Sequence, residues 1–336
     1  MTFFSFATLV HGLLLAGLAF IAYKVHEWFM AQRIENVSKK TVVISGCDTG
    51  FGAILAARLV NQGVPVIAGF YNPNNKTNVD QLNKSIHGNK SLLTVLPLDV
   101  SNSESVKKFG ESVGKKVGSA GVWGVVANAG ILGNSGPDDW LTAEDYINTM
   151  QVNTFGVMRF IQVLKKYVKV QRGRVVIISS ISGRTPRPTV GPYCVSKHAV
   201  EAYADVIRHE LVDFNVSVHL LEPGFFTTNI TQTATADLDK VWERLDQETK
   251  TEYGQKFYDE YKHSRFSRLS HCSDSLDLVV EAYEHALFGK YPKIRYWVGL
   301  DSALFYIPLA TLPTFAQDWF IAFQRRNRPV PASMKH

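Results

Sequence analysis

The chain has 336 residues, of which 46% are hydrophobic, and a net charge of +6. This length can bury the core of one large domain or of two small ones. Its basic residues are dispersed and no recognition helix or aromatic-basic array stands out, which argues against a nucleic-acid partner. Three cysteines without paired spacing indicate neither a disulfide framework nor a zinc site, and we expect no metal.

The first 23 residues contain no Asp, Glu, Lys or Arg. As a helix they reach about 34 Å, enough to cross a hydrocarbon core of roughly 30 Å. A cleaved signal peptide is the rival interpretation, with Gly17-Leu-Ala19 as a cleavage site. Positive charge follows the apolar run, at Lys24 and Arg33, rather than preceding it. We therefore expect a retained membrane anchor over residues 1–30, with membrane lipid as a partner and a cytoplasmic catalytic domain.

A short apolar run, a glycine-rich turn and a helical segment follow one another from Thr41. The turn, Gly46-Cys-Asp-Thr-Gly-Phe-Gly52, places glycines where a pyrophosphate could approach backbone N–H groups at a helix N-terminus. Glycines in this position, between a strand and a helix, favour dinucleotide binding.

Apolar runs and helical patterns alternate along the rest of the chain. This alternation predicts an α/β fold with a doubly wound parallel sheet and helices on both faces. Ligands of such sheets bind at the carboxyl ends of the strands. The predicted strands are Thr41–Ser45, Val64–Phe70, Leu92–Leu96, Trp123–Asn128, Arg174–Ser179, Val216–Leu221 and Ile294–Val298; the clearest helices are Ala143–Val168 and Pro192–Phe214.

Tyr193 and Lys197 are four residues apart at the start of a predicted helix, so they share one helix face. An ammonium group beside a phenol favours its ionised form, and we expect the pKa of Tyr193 to be lowered. A phenol of this kind suits acid/base chemistry at an alcohol or carbonyl. Ser180 follows an apolar strand and can present its hydroxyl to the same oxygen.

These motifs, in this order, resemble those of the short-chain dehydrogenase/reductase family over roughly residues 39–300, and that family has a Rossmann-type fold. Three segments, the glycine turn, Tyr193-Cys-Val-Ser-Lys197 and Glu222-Pro-Gly-Phe-Phe226, resemble the retinol and hydroxysteroid dehydrogenase branch, which also includes a mitochondrial 3-hydroxybutyrate dehydrogenase. The shared motifs are Gly46-x-x-x-Gly50-x-Gly52, Leu98-Asp-Val100, Asn128-Ala-Gly130, Asn153, Ser180, Tyr193-x-x-x-Lys197 and Pro223-Gly224-x-x-x-Thr228.

The resemblance implies a catalytic set. Tyr193 would be the general acid/base, while Lys197 would lower its pKa and hold the ribose hydroxyls of the nicotinamide. Ser180 would hydrogen-bond the substrate oxygen. Asn153 would position Lys197 through a water molecule.

The resemblance also implies a cofactor site for a nicotinamide dinucleotide. Asp99 would contact adenine, Asn128 would shape the adenosine side, and Thr228 would meet the carboxamide. We expect NAD rather than NADP, because Asp48 would repel a 2′-phosphate and no arginine follows the second strand. NADP remains the alternative, since Lys76 could reach a 2′-phosphate. The implied cofactor-binding residues are Gly46, Asp48, Gly50, Phe51, Gly52, Asp99, Asn128, Tyr193, Lys197, Pro223, Gly224 and Thr228.

Residues 225–266 interrupt the alternation, and we expect them to form a helical lid and part of the substrate wall. Packing of individual aromatics on the domain is the alternative. Phe225 and Phe226 are the predicted substrate-lining residues.

The C-terminal segment 301–336 is apolar but broken by Pro308 and Pro313. It could lie at a membrane interface, with Arg325, Arg326 and Arg328 outside. The alternative is a strand and helix that complete the core or form a dimer contact.

Together these features predict a membrane-associated oxidoreductase acting on a lipophilic alcohol or carbonyl, such as a retinoid or steroid. A 3-hydroxy-acid dehydrogenase is the first alternative, with Arg184, Arg187 or Lys240 as partner of the carboxylate. A non-catalytic dinucleotide-binding scaffold is the second. We further expect a homodimer in the membrane of the endoplasmic reticulum, with the mitochondrial membrane as the alternative.

Overall fold

Seven parallel strands form one sheet in the order β3-β2-β1-β4-β5-β6-β7. The computed structural model describes residues 6–228, 234–269, 272–325 and 329–334. All seven predicted strands are confirmed, with ends displaced by at most a few residues. They are β1 (Val42–Ser45), β2 (Val66–Phe70), β3 (Leu93–Pro97), β4 (Gly124–Ala127), β5 (Arg174–Ile178), β6 (Ser217–Pro223) and β7 (Arg295–Val298).

Helices connect the strands, as the alternation predicts. The long helix predicted after β4 contains a π-helical stretch, Gln151–Gly156, between α5 and α6. The helices are α1 (Phe6–Ala31), α2 (Gly50–Asn61), α3 (Lys76–Ser85), α4 (Ser103–Val117), α5 (Ala143–Met150), α6 (Val157–Gln171), α7 (Gly191–Leu211), α8 (Ala234–Glu243), α9 (Gln247–Tyr253), α10 (Gln255–Leu269), α11 (Asp277–Phe288), α12 (Ile307–Ala310) and α13 (Thr314–Arg325).

Side chains along each strand point alternately to the two faces of the sheet and pack into two separate hydrophobic cores. On one face, Val42 and Ile44 of β1 pack with α2 and α11. On the other, Val43 packs with α4, α6 and α7. Burial on both faces explains why the strands are continuous apolar runs. It confirms the predicted doubly wound arrangement.

The N-terminal helix α1 stands apart from both cores. Residues Leu14–Ala31 are long and apolar enough to cross a membrane, and none of this stretch is buried in the protein. The chain after α1 is firmly attached to the sheet domain: Ile34 N donates to Phe288 O at 2.8 Å, and Lys290 N donates to Gln32 O at 2.8 Å. An ion pair of 2.9 Å between Arg33 and Glu284 adds to this junction.

The segment predicted as a lid is helical, and α8, α9 and α10 share a third hydrophobic cluster that is distinct from the two sheet cores. Phe225 and Phe226 at its start line a large cavity, as predicted, whereas the aromatic residues of its helices, Trp242, Tyr253, Phe257, Tyr258 and Tyr261, do not. They pack around Trp140, a residue of the loop after β4, because together they bury a continuous apolar surface away from the sheet. The Thr-rich residues 229–233 at the start of the segment lie outside the described residues. The cluster comprises Trp140, Leu238, Val241, Trp242, Tyr253, Phe257, Tyr258 and Tyr261.

The C-terminal segment forms α12 and α13 after β7. Phe320 and Ile321 of α13 face a large cavity, whereas Phe315, Trp319 and Phe323 are exposed. Of the three arginines predicted to lie outside a membrane, Arg326 and Arg328 are beyond the described part of the chain, and Arg325 is described only in its backbone.

Candidate active site

A cavity of about 1190 Å³ opens at the carboxyl ends of the strands, where the fold predicts a ligand. It brings together most of the site residues expected from the sequence. Gly52 and Asn153 are not on its surface but support residues that are. The predicted residues that line it are Gly46, Asp48, Gly50, Phe51, Asp99, Asn128, Ser180, Tyr193, Lys197, Pro223, Gly224, Phe225, Phe226 and Thr228.

The glycine turn runs from β1 into the N-terminus of α2 and needs glycine for physical reasons. Gly46 and Gly50 have φ values of +69° and +62°, which side chains disfavour. A Cβ built on Gly52 would lie 2.3 Å from Gly46 O. The turn therefore brings its backbone close to the cavity, in the arrangement that suits a pyrophosphate.

The side chain of Asn128 fixes the conformation of the glycine turn through hydrogen bonds. Its Nδ2 donates to Ser45 O at 3.0 Å and to Gly46 O at 2.9 Å. Its Oδ1 accepts a hydrogen bond of 3.0 Å from the Tyr283 hydroxyl on α11. Sequence reasoning missed Tyr283, because it lies 155 residues away and has no local motif. Asn128 thus positions the glycine turn in addition to lining the cavity.

Two carboxylates lie near the ends of β2 and β3: Asp48 comes from the glycine turn, and Asp99 follows β3. Asp48 accepts hydrogen bonds from the backbone N–H groups of Tyr71 (2.9 Å) and Asn72 (3.1 Å), which ties the glycine turn to the end of β2. Asp99 accepts from the N–H (2.9 Å) and the hydroxyl (2.6 Å) of Ser101. Both side chains are held at the edge of the cavity where an adenosine would lie in this fold.

Ser180, Tyr193 and Lys197 meet on the cavity wall. Ser180 follows β5 and accepts a hydrogen bond of 3.1 Å from Ser182 N, which orients its hydroxyl. Tyr193 and Lys197 lie one turn apart on α7, as the spacing predicts. The Lys197 ammonium donates to Ile178 O at 3.0 Å and lies 5.6 Å from the centre of the Tyr193 ring.

The expected lowering of the tyrosine pKa is wrong for this arrangement. Burial raises the pKa of Tyr193, and neither hydrogen bonding by Ser180 nor the positive charge of Arg187 fully offsets it. Burial also lowers the pKa of Lys197 to about 8, although the carboxylate of Glu201 opposes this shift. The cause is the low polarity around both groups, which disfavours each charged form.

Asn153 lies in the π-helical stretch, a feature that is frequent at functional sites. Its amide clamps Ile131, accepting from the backbone N–H and donating to the carbonyl, each at 2.8 Å. Its Nδ2 also donates to Ser196 Oγ at 3.0 Å, next to Lys197. Asn153 therefore joins α7 to the loop after β4.

The turn after β6 is fastened to the C-terminal segment. Phe225 N donates to Asp301 Oδ2 at 2.8 Å, and a Cβ on Gly224 would lie 2.1 Å from the same carboxylate. The ring of Phe226 packs edge-on against Phe51 of the glycine turn, with 5.9 Å between ring centres. This turn thus connects the glycine turn to the C-terminal segment.

The far wall of the cavity contains residues that no sequence motif indicates. Tyr306, Leu309, Phe320 and Ile321 come from the C-terminal segment, and Arg265 comes from α10. Arg187 also lines the cavity, whereas Arg184 is paired with Glu222 at 3.9 Å. Long-range packing brings these residues to the cavity. In the sequence they lie in segments that resemble exposed helices or loops, so no local pattern identifies them as site residues.

A nicotinamide dinucleotide fits this site by its geometry. The glycine turn leaves no room for side chains at Gly46 and Gly52 but exposes backbone at a helix N-terminus. Among the described residues no group of three His, Cys, Asp or Glu side chains could hold a metal ion.

Comparison with known proteins agrees with this geometry. The sequence model of the short chain dehydrogenase family matches residues 40–239. The chain is 38% identical to retinol dehydrogenase 7 of Rattus norvegicus, over 85% of this chain and 88% of the relative. It is 36% identical to 17-beta-hydroxysteroid dehydrogenase type 6 of Homo sapiens, over 95% and 98% of the two chains.

A solved structure shares the fold at lower identity. The short chain dehydrogenase/reductase from Burkholderia phymatum in complex with NAD has a TM-score of 0.64 and 21% identity, covering 87% of this chain and 96% of that one. Family model, relatives and site geometry agree, and the chain belongs to the short-chain dehydrogenase/reductase family, in its retinol and hydroxysteroid dehydrogenase branch, as a dinucleotide-dependent oxidoreductase.

Proposed function

We propose that this protein oxidises or reduces a lipophilic alcohol/carbonyl pair, of the size of a retinoid or steroid, with NAD as the favoured cofactor. One observation carries the proposal: Ser180, Tyr193 and Lys197 line the same cavity as the glycine turn, and its far wall is mostly apolar. The named activities of the retinol and hydroxysteroid dehydrogenase relatives support this substrate class.

The residues divide the chemistry as follows. A bound nicotinamide dinucleotide supplies the hydride acceptor or donor. Tyr193 takes the hydroxyl proton during oxidation and returns it during reduction. Ser180 donates a hydrogen bond to the substrate oxygen as charge develops there. Lys197, anchored on Ile178 O, supplies positive charge near the phenol and would donate hydrogen bonds to the ribose of a bound dinucleotide. Asn153 keeps Lys197 in place through Ser196 and Ile131.

The matched substitution Tyr193→Phe tests this assignment. It removes the transferable proton but preserves most of the ring, so turnover should fall by at least about 10²-fold while dinucleotide affinity and thermal unfolding stay unchanged. The assay is cofactor reduction by detergent-purified protein with a panel of retinoid, steroid and hydroxy-acid alcohols. Substantial residual turnover would reject Tyr193 as the acid/base, and no turnover by the parent protein with any alcohol would favour the scaffold alternative.

The preference for NAD rests on Asp48. Its carboxylate is held between the glycine turn and the end of β2, where it would accept a hydrogen bond from a ribose hydroxyl and repel a 2′-phosphate. Lys76, the cation expected to favour NADP, begins α3 and does not line the cavity in the described residues. Titration of both dinucleotides decides the preference, and tighter binding of NADP would overturn it.

We also propose that the protein is anchored in a membrane through residues 1–30. The exposed, apolar α1 supports this proposal, as do Trp319 and Phe315, which α13 exposes beside the cavity wall. A lipophilic substrate could then pass from the bilayer into the cavity. Resistance to alkaline carbonate extraction is the expected result. Release of the intact protein by carbonate, or a mature N-terminus near Phe20, would refute the anchor.

Homodimer formation and the organelle stay predictions. Separation of detergent-solubilised protein by mass, and fractionation of cells into endoplasmic reticulum and mitochondria, would test them.

A further inference from the structure

Arg265 is an unusual residue of the cavity wall. It lies on α10, is 6% exposed and lines the cavity. Its Nε is buried and has no hydrogen-bond partner in the described part of the chain. None of the ion pairs between described residues includes it, although other basic residues of the lid, such as Arg244 and Lys262, are paired.

Burying such a group is costly. A guanidinium stays charged at any physiological pH, so it cannot escape the cost by losing a proton. Buried charges in proteins are normally paired and hydrogen-bonded. A buried polar atom without a partner on the wall of a ligand cavity calls for an explanation, and a partner that arrives with the ligand supplies one.

A second cation lies on the same cavity. The Arg187 guanidinium stacks over the Phe225 ring, 4.6 Å from its centre, and donates to Ser182 Oγ at 3.1 Å. The acidic residues on the described cavity wall are Asp48 and Asp99, which already accept hydrogen bonds at the ends of β2 and β3. Neither arginine forms an ion pair with a residue that the structure describes. A mostly apolar far wall with two cations nearby suits an amphipathic molecule.

We propose that Arg265 binds an anionic oxygen group of a molecule held in the cavity, and that Arg187 adds to the same positive field. The inference rests on the proposed function in naming the substrate: an alcohol with a large apolar body and a carboxylate. The pyrophosphate of the dinucleotide is the other source of the same chemistry. The glycine turn already offers backbone N–H groups to pyrophosphate, which favours the substrate as the source.

The test uses Arg265→Met, which keeps the length of the side chain but removes the charge. Lys256→Met is the matched control, because it removes one positive charge from the exposed side of the same helix, 3.9 Å from Glu260. The probes are a hydroxysteroid with a side-chain carboxylate and the methyl ester of the same compound. Both are assayed with the full-length protein in detergent, and the affinities of NAD and of the acid are measured by calorimetry.

The parent protein and Lys256→Met should prefer the acid over the ester by about 10-fold to 100-fold in kcat/KM, as expected for a charge-assisted hydrogen bond. In Arg265→Met, kcat/KM for the acid should fall to the level of the ester, while kcat/KM for the ester and the affinity for NAD stay unchanged. If the affinity for NAD falls in Arg265→Met instead, and the parent protein does not distinguish the acid from the ester, the anion is the pyrophosphate. If neither preference nor NAD affinity changes, Arg265 binds no anion and the proposal is overturned.

Stability gives an independent readout. Because Arg265→Met removes a buried guanidinium that forms no ion pair with a described residue, its melting temperature should equal or exceed that of the parent protein. A clear decrease would indicate a structural role and count against the proposal. If the parent protein oxidises neither acid nor ester nor any alcohol of the panel, the proposed function fails, but acid binding to the NAD complex, measured in both variants, still decides the role of Arg265.

Discussion

Trp140 offers a test of the idea that the lid is a unit with its own core. Its side chain is 1% exposed and packs against rings of α8, α9 and α10, with centre-to-centre distances of 5.1 Å to Trp242 and 5.3 Å to Tyr253. None of these residues belongs to the two sheet cores. We predict that Trp140→Ala opens the lid while the sheet stays folded.

The magnitude follows from the buried area. A buried tryptophan removes roughly 150–250 Å² from water, which at about 25 cal/mol per Å² is worth about 4–6 kcal/mol. Measured losses for large-to-alanine changes of this kind are about 3–5 kcal/mol. A loss of about 4 kcal/mol in the local opening free energy raises the open population of the lid about 10³-fold.

Hydrogen exchange measured by segment is the assay. Amides of α8, α9 and α10 should exchange up to about 10³-fold faster in Trp140→Ala, whereas those of β1, β4 and β5 keep their rates. KM for the alcohol should rise, because Arg265 and Ser264 leave the cavity wall with the lid, and NAD affinity should stay unchanged.

Trp140→Phe is the control. It retains a ring in the cluster, and it loses no hydrogen bond because Trp140 Nε1 has no partner among the described residues. Its cost should therefore be much smaller than that of alanine. Equal acceleration of lid and strand amides in Trp140→Ala would refute the reasoning, since it would mean that the lid and the sheet unfold together.

Three further predictions concern the site and its support. Arg187→Met removes a cation that lowers the pKa of Tyr193, so the kcat/KM profile for a neutral alcohol should shift to higher pH; an unchanged profile would contradict this. Gly52→Ala places a Cβ 2.3 Å from Gly46 O, and calorimetry should show loss of NAD affinity, whereas binding at the parent level would show that the turn can move. Burial lowers the pKa of His219 to about 4, so protonation of its imidazole disfavours the folded state. The free energy of unfolding should therefore fall by about 2 kcal/mol as the pH is lowered from 7 to 5. His219→Gln should lose that part of the pH dependence in chemical denaturation, and an identical slope would assign it to other groups.

The sequence by itself determined the sheet and the position of the site. Strands buried on both faces appear as continuous apolar runs, so β1, β4 and β5 could be located within a residue or two. The glycines at 46, 50 and 52 and the spacing of Tyr193 and Lys197 are local features too, because turn geometry and helical periodicity require them over a few residues.

Only the tertiary structure decided which distant groups surround these motifs. Tyr283 on Asn128 and Asp301 on Phe225 N depend on packing across the whole domain. The net direction of the Tyr193 pKa shift depends on burial, which the spacing to Lys197 does not reveal. Arg265 is the clearest case: in the sequence it is one of several charges on a helix, and its burial follows from how α10 packs over the cavity. Short-range patterns specify backbone geometry, whereas the environment of a side chain depends on contacts between residues far apart in the chain.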